Sequence, residues 1–297
     1  MHPSEPLAVP VTNLTHLAPL SFSNSTVEWN VQYTQPITSA QLPAPSYYSN
    51  VSFYFEPTAN ISRTNDTHIL NVDGGAVSQV VYQQPEYYFD WSSLAATTVP
   101  GQGYPYELLL DEEFTNASSE LSLVRNVTFG VISDAGATDA YSTALALEDF
   151  ITNGNASTEF KRNYNGSGTV SPVDVSLNIL EAIKEGSCRE FNTLFVTMAR
   201  LAGLPARQVT GYIGGTWTGD GYAVYSSDVA TWSEVRLQQN SANGNTDLGW
   251  IPFDPCPPAE EVEIVNQTIS TRTVARDGTD TITVTGQLRY VANGTPV

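Results

Sequence analysis

Two residue types in this sequence are placed where they could do covalent chemistry, a cysteine and an aspartate. Cys188 follows Gly186 and Ser187 where a helical pattern begins, and Asp254 ends a strand pattern over 249–253. A cysteine that opens a helix, followed by two strands of which the second ends in Asp, is the layout of a Cys-His-Asp nucleophile system. The unpaired N–H groups and the dipole at a helix N-terminus favour the thiolate of such a cysteine. The pattern therefore predicts a thiol nucleophile, provided that a base stands nearby.

The elements that must position these residues can be predicted from the spacing of apolar side chains. Helices are predicted over about 140–153, 171–184 and 188–202, the second with Ser171 as its N-cap. Strands are predicted at 208–213, 222–225, 229–237 and 249–253. We expect an α+β core in which the Cys188 helix packs against an antiparallel sheet that contains the last two of these strands.

The flanking regions have a different character. Residues 1–135 are predicted to be β-rich and irregular, with strands at Val51–Phe55 and Gln79–Tyr82. The core is assigned to residues 136–263. Residues 264–297 form a β extension, with a strand at Thr281–Thr285 and a turn at Asn293–Pro296. The extension is either a strand or two that close the domain or the start of an Ig-like domain, since a β-sandwich needs about 100 residues.

Charge excludes two classes of partner. The 297 residues include 31 Asp and Glu against 12 Lys and Arg, for a net charge of -19. Such a surface repels nucleic acid and anionic membranes, so neither is expected as a partner. No apolar run is long enough to span a bilayer, and Met1-His2-Pro3 does not begin a signal peptide. We expect a soluble chain or an ectodomain cut from something larger.

Glycosylation sequons point outside the cell. Chance would give about four Asn-x-Ser/Thr sites in a chain of this composition, but eleven occur, none of them between Gly168 and Glu263. Dense sequons, high acidity and only two lysines predict an archaeal cell-surface or secreted glycoprotein, with other surface proteins or glycans as partners. The candidate glycosylation sites are Asn13, Asn24, Asn50, Asn60, Asn65, Asn116, Asn126, Asn155, Asn165, Asn266 and Asn293.

The order of motifs from about Asp139 to Pro257 resembles the transglutaminase-like superfamily. That family has a Gly-x-Cys that opens a helix, a Leu-Pro-Ala-Arg-like turn, a Gly-Tyr strand, a His-x-Trp-x-Glu strand and a Gly-Trp-x-x-x-Asp-Pro strand. The resemblance implies a papain-like α+β core, and it covers less than half of the chain. The matching residues here are Gly186 and Cys188, Leu204-Pro205-Ala206-Arg207, Gly211-Tyr212, Trp232 and Glu234, and Gly249-Trp250 with Asp254-Pro255.

The resemblance also implies roles for three positions. Cys188 takes the nucleophile position and Asp254 the position that orients the base, but the base position holds Ala230. The histidines of the chain, His2, His16 and His68, all lie in the N-terminal region. An acid–base residue typically contributes about 10²- to 10⁴-fold to such a reaction. We therefore expect a non-catalytic structural or binding module; the alternative is a cysteine hydrolase or transamidase whose His was replaced by Ala230, naturally or by engineering.

Cys256 offers a second interpretation of the same site. It lies two residues beyond Asp254, and the family fold would bring it beside the start of the Cys188 helix. In an oxidising compartment, two cysteines so placed are expected to form a disulfide. Two free thiols, or a working nucleophile at Cys188, are the alternatives. No cofactor is expected, and no metal site, because no His and no third Cys lies nearby.

Overall fold

The computed structural model describes residues 7–10, 20–37, 41–42, 50–55, 60–63, 70–73, 76–89, 94, 97–99, 118–154, 160–162, 171–182, 184–241, 244–258, 262–269 and 284–290. The three histidines and the predicted turn at 293–296 lie outside these ranges. Within them, no helix has the length and apolar character needed to cross a bilayer.

The N-terminal region contains two antiparallel sheets. The larger has the strand order β1-β4-β7-β2 and the smaller the order β3-β6-β5. The strands predicted at 51–55 and 79–82 are confirmed, the second as part of a longer strand. The bounds are β1 Leu7–Pro10, β2 Leu20–Ile37, β3 Gln41–Leu42, β4 Asn50–Phe55, β5 Asn60–Arg63, β6 Leu70–Asp73 and β7 Val77–Phe89.

Helices form one layer of the core. They are α1 Ser118–Asp134, α2 Ala140–Asn153, α3 Pro172–Leu177 with a π-helical turn Asn178–Ala182, and α4 Cys188–Leu201. The predicted N-cap is confirmed, since the Ser171 side chain accepts a hydrogen bond from the Asp174 amide. Helix α2 ends at Gly154, which adopts a φ of 65° that favours glycine. Helix α1 was not predicted, although its Val124 is buried in the same core as Leu147 of α2.

An antiparallel sheet forms the other layer, as predicted. Its strands are β11 Ala206–Tyr212, β14 Val229–Ser241 and β15 Gly244–Phe253, in the order β11-β14-β15, with the short strand β8 Thr97–Thr98 paired to the end of β14. Alternate residues of β14 face α4, and among them Ser233, Val235 and Leu237 are fully buried. The rings of Phe195 on α4 and Phe253 on β15 stack 5.5 Å apart. These contacts confirm the predicted α+β fold.

Short elements complete the described chain. Strands β9 Lys161–Arg162 and β10 Glu185–Gly186 form a parallel pair, and β12 Thr216–Trp217 pairs with β13 Tyr222–Ala223. A 3₁₀ turn, Ser226–Asp228, leads into β14. In the C-terminal extension, β16 Val262–Ile269 pairs with β17 Val284–Tyr290. Of the strand predicted at 281–285, residues 284 and 285 are confirmed as the start of β17, and residues 281–283 lie outside the described residues.

Candidate functional site

Cys188 is the first residue of helix α4, and a capping box fixes its position. The Ser187 amide donates to Glu190 Oε2 at 2.7 Å, and the Ser187 hydroxyl donates to the same oxygen at 2.9 Å. In return, the Glu190 amide donates to Ser187 Oγ at 3.4 Å. The Ser-x-x-Glu spacing is the sequence signature of this motif, and it satisfies backbone N–H groups that the first turn leaves unpaired. The local sequence therefore holds the cysteine at the helix N-terminus.

The sulfur of Cys188 is bonded to the sulfur of Cys256. The two Cα atoms lie 4.9 Å apart, within the usual range for a disulfide. Both cysteines are in the disulfide, so the structure has neither two free thiols nor a free nucleophile at Cys188. Both residues are half-buried. A sulfur in a disulfide is not a thiolate and cannot attack a substrate carbonyl.

The base position, Ala230, lies in β14 opposite Gly211 of β11. Trp232 comes two residues later, and its indole covers Gly211: a Cβ added there would lie 2.6 Å from the Cη2 atom. No residue that the structure describes is a histidine. The methyl group of Ala230 can neither accept nor donate a proton.

Asp254 is exposed, and its groups bond to two neighbours. Its amide donates to Glu148 Oε1 at 2.6 Å, and its carboxylate accepts from the Cys256 amide at 3.3 Å. The carboxylate that the family would use to orient an imidazole therefore holds the turn that leads to the second cysteine.

Glu148, on helix α2, is the titratable group that the sequence did not indicate at this site. Burial raises the pKa of its carboxyl, and the nearby carboxylates of Asp254 and Asp149 raise it further, against the hydrogen bond from the Asp254 amide. Burial also raises the pKa of the Tyr141 hydroxyl, and the charge of Glu148 adds to this effect. The hydrogen bond from the Asp254 amide to Glu148 joins α2 to the end of β15.

Asn192, which the sequence analysis also missed, joins the start of α4 to β14. Its Nδ2 donates to the carbonyl of Cys188 at 2.8 Å and to that of Thr231 at 3.0 Å. Its Oδ1 accepts from the Ser233 hydroxyl at 2.6 Å. Asn192 and Ser233 are fully buried. The available signal was a polar residue on the apolar face of a helix, next to Phe191.

On the opposite face of the sheet, charged and aromatic side chains are stacked across the strands. Arg207 on β11 donates to Glu234 on β14, with Nε and one terminal nitrogen 2.8 and 2.6 Å from Oε2. The two residues are directly opposite each other in the β11–β14 register. Trp232 Nε1 donates to the other oxygen of Glu234 at 3.2 Å, and the guanidinium of Arg207 lies 4.0 Å from the ring centre of Trp250. These motif residues hold the strands in register.

Five of the eleven sequon asparagines lie in the described residues. Asn126 is exposed on α1, but the hydroxyl of its partner Thr128 is buried and donates to the Val124 carbonyl at 2.7 Å. Four others lie in strands: Asn24, Asn50, Asn60 and Asn266. The remaining six lie outside the described residues. Within the described part of the chain, no group of three His, Cys, Asp or Glu residues could hold a metal ion.

Comparison with known proteins places these residues in one family. Residues 128–255 match the transglutaminase-like superfamily. No curated protein matches the chain in sequence. Among solved structures, the chain is similar to the periplasmic domain of TgpA from Pseudomonas aeruginosa, with 18% identity over 80% of this chain and 71% of that one and a TM-score of 0.45. The same domain bound to ethylmercury gives 17% identity over 80% and 74%, with a TM-score of 0.44.

Positions 188, 230 and 254 all fall inside the matched segment, and Cys256 lies one residue beyond it. The matched segment also carries α4 and the sheet β11-β14-β15. Residues 128–255 of this chain therefore belong to the transglutaminase-like superfamily.

Proposed function

We propose that this chain is a secreted or cell-surface transglutaminase-like domain that is catalytically inactive and acts as a structural or binding module. The observation that carries the proposal is the disulfide of Cys188, at the nucleophile position of a site whose base position is Ala230. Catalysis in this arrangement requires a thiolate and a residue that accepts and returns a proton. The thiolate is missing because Cys188 is in a disulfide, and the proton acceptor is missing because residue 230 is alanine.

The loss of the base matters even when the disulfide is reduced. With an ordinary pKa near 8.5, about 3% of a free thiol is ionised at pH 7. The N-terminus of α4 would raise that fraction, but it supplies no proton to a leaving amine. Reduced Cys188 would therefore be a nucleophile that alkylating agents can trap, without efficient turnover.

The proposed location rests on two features of the chain. Disulfides persist in oxidising compartments, and eleven sequons outnumber the four or so expected by chance. The acidic, lysine-poor composition supports an archaeal origin. Mass spectrometry of native material should find glycans on several of the eleven asparagines; unmodified Asn at every site would argue against a secreted or surface protein.

Alkylation with and without reductant tests the inactive state. Without reductant, iodoacetamide should leave Cys188 unmodified in the folded protein, and the protein should release no ammonia or peptide product from glutaminyl and peptide substrates. After reduction, Cys188 should be labelled and turnover should still be absent. Rapid labelling of Cys188 in the unreduced protein, or turnover by either form, would contradict the proposal.

The alternative is a cysteine hydrolase or transamidase whose His was replaced by Ala230, naturally or by engineering. It is favoured by the retention of Cys188 at a helix N-terminus and of Asp254 at its family position. The variant Ala230→His in a Cys256→Ser background would supply a base and free the thiol together. Peptide or amide hydrolysis by that variant, absent from Cys256→Ser alone, would favour the alternative; an inactive variant would favour the structural role.

A further inference from the structure

Six apolar side chains are exposed together between the end of β11 and the start of β14. Their relative exposures range from 47% to 67%. Isolated exposed apolar residues are ordinary on protein surfaces, but six within one short segment, two of them in direct contact, make a candidate interaction site. We call this group the hairpin surface; it consists of Tyr212, Ile213, Trp217, Tyr222, Val224 and Tyr225.

The hairpin surface is held in a defined conformation. Trp217 and Tyr222 are opposite each other in the β12–β13 pair, and their rings make an edge contact with centres 5.1 Å apart. The turn between them is closed by the Thr218 amide, which donates to the Gly221 carbonyl at 2.8 Å, and by the Thr218 hydroxyl, which donates to Asp220 at 3.0 Å. An aromatic pair that is already ordered loses little entropy when a ligand binds.

The other end of the surface is fixed to the start of β14. The Ile213 amide donates to the Asp228 carbonyl at 3.0 Å, and the Tyr225 amide donates to the Asp228 carboxylate at 2.7 Å. Burial raises the pKa of the Tyr33 hydroxyl on β2 to about 12, and the nearby Tyr212 adds to this effect. The exposed rings therefore project from a segment whose backbone is held by hydrogen bonds at both ends.

Charge indicates the kind of ligand. From 208 to 235 the sequence has no Lys, Arg or His, and it contains Asp220, Asp228 and Glu234. Only Glu234 of these three carboxylates is in an ion pair with an arginine, Arg207, among the contacts of the described residues. Aromatic faces beside carboxylates attract ammonium and guanidinium groups. A second copy of a chain with a net charge of -19 would bring like charge to the surface.

Strand β11 adds a backbone feature to these side chains. It is the last strand of its sheet, and among the described residues no strand pairs with its outer edge. Gln208, Thr210 and Tyr212 are its exposed residues. An open edge can accept an extended peptide as a further strand, with side-chain contacts that supply specificity.

We propose that the hairpin surface and the outer edge of β11 together dock an extended, Lys/Arg-bearing segment of a partner protein. The segment pairs its backbone with β11 and sets its cationic side chains against Trp217 and Tyr222, near Asp220 and Asp228. The inference rests on the proposed role as a binding module, but it does not require an inactive cleft. Labelling or turnover that contradicts an inactive cleft would therefore leave this inference standing. A negative result in the binding test below would leave the inactive cleft standing.

The test is a titration of the full chain with two capped eight-residue peptides, one alternating Lys and Thr and the other alternating Glu and Thr. The Lys-Thr peptide should bind and the Glu-Thr peptide should not, and binding should weaken as NaCl is raised from low to high concentration. Trp217→Ala/Tyr222→Ala should weaken binding about five- to thirtyfold, since it removes two exposed cation–π contacts. Phe129→Ala, which removes a ring that is 49% exposed on α1, is the matched control and should leave the affinity unchanged.

Two further measurements test the same docking surface without the double aromatic variant. Asp220→Asn/Asp228→Asn keeps the hydrogen-bond acceptors of both turns and should also weaken binding. In the unmodified protein, the Lys-Thr peptide should slow amide hydrogen exchange in segment 206–213. Equal binding of both peptides, unchanged exchange in that segment, or self-association of the chain that is abolished by Trp217→Ala would each overturn the proposal.

Discussion

Removing the Cys188–Cys256 bond, by reduction or by the double variant Cys188→Ser/Cys256→Ser, should destabilise the transglutaminase-like domain strongly. The bond joins residues 68 positions apart in sequence. The loop it closes contains helix α4 and three strands of the central sheet, β11, β14 and β15. In the unfolded chain, the bond holds the two ends of this loop together. It therefore lowers the conformational entropy of the unfolded state and stabilises the folded state.

The chain-entropy model gives a magnitude for this effect. For a loop of this length, the lost entropy corresponds to about 4.4 kcal/mol at 25 °C. A change of 1 kcal/mol moves the melting temperature of a domain of 150–250 residues by about 2–4 °C, so Tm should fall by about 9–18 °C. The half-buried position of both cysteines gives a reductant access in the folded state.

Thermal and urea unfolding, each with and without reductant, would measure the loss. Reductant should lower Tm of the unmodified protein and should have no effect on the double serine variant, which serves as the control. Thiol titration of the denatured, unreduced protein should find no free thiol. Two titratable thiols in that experiment, or a Tm that reductant leaves unchanged, would refute the reasoning.

Three further predictions concern single residues, each measured by urea unfolding. Burial raises the pKa of Glu148 in the folded state. Ionisation of Glu148 therefore lowers the free energy of unfolding as pH rises through the folded pKa. Glu148→Gln should stabilise the protein at neutral pH and not at acidic pH. Asn192→Ala should cost about 2–3 kcal/mol, because it removes three buried side-chain hydrogen bonds that join α4 to β14. Gly211→Ala should cost about 1–3 kcal/mol because its Cβ would collide with Trp232, whereas Gly130→Ala, in an open helical position, should stabilise by about 0.5–1 kcal/mol.

The parts of the fold that the sequence predicts are those with local signals. Helix α4 was predicted from the spacing of its apolar residues, and it begins at Cys188 as expected. The N-cap at Ser171 is also a local signal, and it is confirmed. The disulfide was implied by the family resemblance, which placed Cys256 beside the helix, and it is present in the structure.

The parts that sequence did not predict depend on contacts between distant residues. In α1, Thr128 occupies a buried position and Phe129 an exposed one, so the apolar stripe is weak. The last residues of β14 are polar, and they form a strand because β15 and β8 pair with them. Glu148 is an ordinary helix residue in sequence, and only the folded chain brings it to Asp254.

The residues that identify the family in this chain mostly stabilise its sheet. Gly211 makes room for the Trp232 indole, and Glu234 binds both that indole and Arg207. Substitution at these positions would disturb the packing of three strands, so they can persist whether or not the site is catalytic. The methyl group of Ala230, by contrast, has no polar atom that could take part in these contacts. A family match that depends on such residues therefore establishes the fold. Activity depends on a few other residues, such as the base, which can be replaced without disrupting the fold.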